Sequence, residues 1–109
     1  MTLWLNTLRP TRVEMLTVGP TERELQIVGA HFAYWKELAA KGTALLVGRT
    51  QDRGAQTVGI SVFGAPDEAS ATALCQADPT VREGVMTSTV QPYGIALLAD
   101  REHWSKHAP

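Results

Sequence analysis

Segments of strand and helix character follow one another in the order β-α-β-β-α-β, which predicts an α+β domain with a four-stranded antiparallel sheet and two helices on one face. Three observations carry that prediction. A capped amphipathic helix runs from Thr21 to Ala40, two apolar runs flank the polar stretch 49–56, and an alanine-rich helical stretch lies between Pro66 and Pro79. The chain has 109 residues, 44% of them hydrophobic and 19% charged. At roughly 100–200 residues per domain this is a single domain, residues 1–109, with a core over about 3–98 and a short C-terminal tail. A chain of this size buries about two-thirds of its unfolded surface, enough for a core without disulfide or metal staples.

The first strand covers Leu3 to Leu8, where Leu3, Leu5 and Thr7 alternate with Trp4, Asn6 and Leu8. Arg9-Pro10 stops it, because proline has no amide to donate to a ladder and restricts the residue before it. Thr11 to Gly19 has no sustained period and reads as a loop, longer than the usual connection and of the kind that walls or covers a site. Thr21 with Glu24 three residues on forms a capping box. Leu25, Val28, Phe32, Trp35 and Leu38 or Ala39 then recur at the spacing of one helical face, predicting a buried stripe. Lys41-Gly42 closes the helix, with glycine at the left-handed position. Ala44 to Gly48 and Thr57 to Phe63 are the next strands. Asp52-Arg53-Gly54 between them favours an antiparallel hairpin. Pro66 suits a first helical position, and Asp67 and Glu68 complement the dipole of a helix through Ala77. Asp78-Pro79 should end that helix. Thr80 to Thr87 reads as irregular. Ser88 to Leu98 is a last strand interrupted by Pro92 and Gly94, so it belongs at the margin of the sheet. The tail has room for a helical turn from Asp100.

This order is that of the ferredoxin-like split βαβ fold. Leu3, Trp4, Leu5, Val58, Ile60, Ile95 and Leu97 supply more apolar strand positions than two helices cover, so the open sheet face is expected to pair two copies in a homodimer.

Ten Lys plus Arg against eleven Asp plus Glu, without runs, leave a net charge of -1 and no footprint for nucleic acid or anionic lipid. The longest apolar stretch, Ile95 to Ala99, is far below the ~20 residues of a membrane span, and there is no charged-then-apolar leader. A soluble, cytoplasmic protein with no membrane association is expected. The one Cys fits a reducing compartment, and on its Ala-rich stretch Cys75 reads as a small core residue.

His31 sits mid-helix, with Ile27 and Val28 one turn before it and Tyr34 and Trp35 one turn after. A half-buried imidazole can serve as general base or acid, since histidine titrates near neutrality. A core-edge histidine satisfied by a carbonyl fits the same pattern. Asp78 reads as a turn former. Both helices lie on one sheet face, however, so Asp78 can approach His31 and orient its ring, as the carboxylate of a catalytic triad does. Arg9 can meet an anionic group through its planar fork or simply face solvent. His103 and His107 would need a third ligand to hold a metal. The glycines form no phosphate-binding pattern.

The ordered set His31-Phe32-Ala33-Tyr34-Trp35-Lys36-Glu37-Leu38, Lys41-Gly42, Leu46-Val47-Gly48, the strand 59–63, Asp67-Glu68-Ala69 and Asp78-Pro79 resembles the YciI-like (YCII-related) proteins. The resemblance runs from about Leu3 to Leu98. It implies a ferredoxin-like fold of the dimeric α+β barrel group, with His31 and Asp78 as the active-site pair in a cleft. It also implies lyase, isomerase or dehydrochlorinase-like proton transfer on a small cyclic or phenolic molecule. Arg9, Tyr34, Trp35 and Met86, in the Val85-Met86 loop, are the expected substrate-binding residues. No metal or organic cofactor is expected. Arg49, where many members carry proline after the glycine, departs from the pattern and is expected to alter the pocket wall. The competing reading is a non-catalytic dimer that binds a small ligand in the same cleft.

Overall fold

The first strand, β1 (Thr2–Pro10), owes its central position to its alternation: Trp4, Asn6 and Leu8 are buried while Leu3, Leu5 and Thr7 are half-buried on the other face. The computed structural model describes residues 2–107, with side chains described as far as Trp104. After β1 come α1 (Glu14–Thr17), α2 (Glu22–Ala40), β2 (Ala44–Arg49), β3 (Gly59–Ala65), α3 (Glu68–Gln76), α4 (Pro79–Arg82), β4 (Met86–Tyr93) and α5 (Arg101–His107). The four strands pair antiparallel in the order β2-β3-β1-β4, the arrangement of the ferredoxin-like fold. Among the described residues no helix is long and apolar enough to cross a membrane.

Register sorts the two faces. Trp4 stands opposite Phe63, Asn6 opposite Ser61 and Leu8 opposite Gly59, all toward the helices. There Trp4, Phe63 and Ala65 form one core with Trp35 from α2 and Ala71 and Cys75 from α3. The Trp35 and Phe63 rings lie 5.8 Å apart, and the Trp4 indole donates to the Ala65 carbonyl at 3.1 Å. Trp4 therefore belongs to the core, not to the open face expected of it. Ile95 and Leu97 leave the open face too, because β4 ends at Tyr93, before Gly94; they are exposed outside the sheet. Pro92 lies within β4, opposite Trp4, and β4 is an edge strand as its proline requires.

The long helix forms as its ends dictate. The Thr21 hydroxyl accepts from the Glu24 amide while the Glu24 carboxylate accepts from the Thr21 amide. At the other end the Gly42 amide reaches the Ala39 carbonyl and the Thr43 amide the Leu38 carbonyl, a Schellman pair that places Gly42 at φ +80°. Its apolar stripe behaves otherwise than its spacing predicts. Trp35 is buried, but Leu25 is 59% and Phe32 67% exposed, because the N-terminal half of α2 stands off the sheet and walls a cleft.

Three boundaries move. Asp67, not Pro66, sets the start of α3: it is the N-cap, its carboxylate accepting from the Ser70 amide at 2.8 Å. Helix α3 does stop before Asp78-Pro79, with Ala77 its C-cap, and Asp78 in addition caps α4, a short helix with Pro79 at its first position inside the stretch expected to be irregular. The loop after β1 holds the single turn α1, with Met15 buried.

Candidate active site

Helix α2 presents His31 and Trp35, one turn apart and so on one face, to a single carboxylate. The Asp78 Oδ2 atom lies 2.7 Å from His31 Nδ1 and accepts from Trp35 Nε1 at 2.7 Å. Its other oxygen, Oδ1, accepts from the Thr80 amide at 2.9 Å and the Thr80 hydroxyl at 2.8 Å. Asp78 is 0% exposed, so both oxygens are satisfied without water. The cap of α4 thus holds the carboxylate still while α2 brings the ring to it.

Burial by itself pushes the Asp78 carboxyl up, but the bonds from His31 and Trp35, the charge of His31 and the Thr80 amide together hold it below its ordinary value. The ionised carboxylate only accepts, so His31 Nδ1 carries the proton that points at it. In the neutral form of the ring, Nε2 is then the free lone pair. The His31 side chain keeps 19% of its surface accessible and lines a cavity of about 550 Å³.

Leu8 and Pro10 from β1, Val28 and Phe32 from α2, and Met86 from β4 give this cavity a mostly apolar wall. The loop after β1 adds Met15, Leu16 and Pro20, as its length suggested. Its placement has a specific cause. Arg12 reaches both oxygens of Glu24, at 3.0 and 2.6 Å, and the Gly19 carbonyl at 3.2 Å, which pins the loop to the first turn of α2. The pairing with Arg12 and the Thr21 amide pulls the Glu24 carboxyl down to about 2.

The expected site residues divide. His31, Trp35 and Met86 line the cavity, and Asp78 stands directly behind His31. Tyr34 does not reach it: its hydroxyl donates to the Leu74 carbonyl, tying α2 to α3, and burial pushes its phenol up. Arg9 does not reach it either. Strand alternation turns Leu8 and Pro10 toward the cavity and leaves Arg9 exposed on the other face. Cys75 is fully buried, and burial pushes its thiol up to about 12, as suits a packing residue. His103 lies on α5, the His107 side chain is outside the described residues, and among the described residues no three metal-ligating side chains gather. Arg53, Ser61 and Phe32 reach the cavity without having been expected there, and Arg49 stands in its wall.

The family model described as the YCII-related domain matches residues 3–91. Among solved structures, 5-chloro-2-hydroxyhydroquinone dehydrochlorinase (TftG) from Burkholderia phenoliruptrix AC1100, in complex with 2,5-dihydroxybenzoquinone, superposes with a TM-score of 0.61. The two sequences are 21% identical over 84% of this chain and 93% of the other, a likeness that establishes a shared fold. No curated protein matches the chain.

Proposed function

The chain belongs to the YCII-related family, and on that premise we propose that it is a small-molecule enzyme in which His31 transfers a proton on a cyclic or phenolic substrate while Asp78 orients the ring. The observation that carries this is the 2.7 Å bond between His31 Nδ1 and the sealed Asp78 carboxylate, at the wall of an accessible cavity. With Nδ1 protonated, Nε2 takes a proton from a ring hydroxyl or from a carbon beside a carbonyl. The electron pair released into the ring then either expels a leaving group, a lyase-type outcome, or accepts the proton back at another carbon, an isomerase-type outcome. Asp78 stabilises the imidazolium without leaving its four donors. That TftG was solved with a dihydroxybenzoquinone supports a substrate of this class. The reading includes a homodimer formed through the open sheet face.

Turnover of halogenated hydroquinones, phenols and lactones, followed by ultraviolet absorbance, tests the reading. Replacing His31→Ala should cost about 10²–10⁴-fold in turnover while ligand affinity stays within about threefold. A wild-type protein inert toward every substrate in the set, yet binding them, would make it a ligand-binding protein instead.

A further inference from the structure

Among the described residues, the ionisable side chains that wall the cavity are His31, Arg49 and Arg53, with no carboxylate in the lining. Acidic residues slightly outnumber basic ones in the chain as a whole, so this imbalance is local. Asp78 is sealed behind His31 with both oxygens occupied, so it presents no carboxylate oxygen to the cavity.

The two arginines also differ from others in the chain. Arg12, Arg23 and Arg82 each pair with a carboxylate. The side chains of Arg49 and Arg53 make no ion pair or hydrogen bond among the described residues. Asp52, the acid beside Arg53, forms no ion pair with it; the Thr57 hydroxyl donates to the Asp52 backbone carbonyl at 2.7 Å and lies 3.4 Å from its carboxylate. Arg49 ends β2 opposite Gly59, and both line the cavity. Arg53 follows in the β2–β3 loop at the same wall. Two unspent cations beside an apolar cavity form a site for a molecule with an apolar body and a negative end.

We infer that the cavity selects a planar cyclic oxyanion, its ring against the apolar wall beside His31 and its ionised oxygen group held by Arg49 and Arg53. The guanidinium fork suits a carboxylate or the delocalised oxygens of an acidic ring hydroxyl equally. This deepens the reading of the cavity as a substrate site and rests on it.

Equilibrium binding, read from the fluorescence of the cavity tryptophan Trp35 and checked by calorimetry, separates the possibilities. The probes are 2,5-dihydroxybenzoate, its uncharged methyl ester, and 2,5-dihydroxybenzoquinone. At least one anion should bind about tenfold tighter than the ester; the benzoate alone would identify a carboxylate as the recognised group, the quinone alone an acidic ring hydroxyl. Arg49→Gln and Arg53→Gln should each weaken that anion about threefold, and the double variant about tenfold, with the ester changed by less than about twofold. Equal binding of ester and anions, or a preference that survives the double variant, overturns the inference. Proton transfer that proceeds equally on charged and neutral substrates removes this inference and leaves the proposed function. Anion-selective binding without turnover of any substrate does the reverse.

Discussion

Asp78 takes four hydrogen bonds on two oxygens while sealed from solvent, and its substitution by asparagine tests how much that arrangement stabilises. An amide keeps one acceptor and turns two donors toward partners that are themselves donors. The Trp35 indole or the Thr80 groups then lose their acceptor inside the protein. Asp78→Asn should therefore destabilise by about 1–3 kcal/mol, seen as a lower urea midpoint with an unchanged slope. An unchanged midpoint would mean that the carboxylate contributes only to orientation. The pairing was half legible. A mid-helix histidine and a helix-ending Asp-Pro both stand out in the sequence, but His31 and Asp78 are 47 residues apart, and nothing local reports the bond. Trp35 as a second donor to the same oxygen escaped, because at that spacing it reads as a core residue, which it also is.

Helix α2 was the most legible element, since a capping box and a Schellman glycine are set by neighbours within six residues. What the box does beyond capping was not legible: Glu24 also binds Arg12 and so fastens the cavity loop. Its carboxyl falls from 4.5 to about 2, lower in the folded than in the unfolded chain. The stabilisation from this group is therefore fully present above about pH 4.5 and is lost as pH falls through about 2. Glu24→Gln should be less stable than the parent at neutral pH, with the difference shrinking across that acid window in thermal melts. Amides of 12–19 should exchange faster in the variant as the loop is released. A constant offset in melting temperature from neutral pH to pH 2 would contradict the linkage.

At the scale of the whole molecule, the face away from the helices carries an apolar row, Leu46, Val62 and Leu5, aligned across β2, β3 and β1. Val62 is buried, whereas Leu46 remains 57% exposed. A row of this kind on a twisted sheet is covered economically by its own copy. Sedimentation velocity at micromolar concentration should report a dimer, and Leu5→Glu should shift it to monomer while the helix-side core, and hence the circular dichroism, is unchanged. A wild-type monomer across that range would refute the assembly. The composition of the sheet pointed to an open face, but only the register assigned its members, moving Trp4 inward and leaving Ile95 and Leu97 outside the sheet altogether.

The β-α-β-β-α-β order of the main elements, the antiparallel hairpin, the caps of α2 and the marginal place of the proline-bearing strand follow from the sequence by itself. Each depends on backbone constraints that act over a few residues. The tertiary structure alone decided what each face meets. Helical spacing marks Leu25 and Phe32 as apolar, yet an apolar stripe lines an accessible cavity as readily as it fills a core. Strand alternation likewise says that Arg9 and Leu8 point apart, but not which of them points at His31. The charge of the cavity was hidden for the same reason. Burial, pairing and exposure belong to pairs of surfaces brought together by folding, and no single segment carries the identity of its partner.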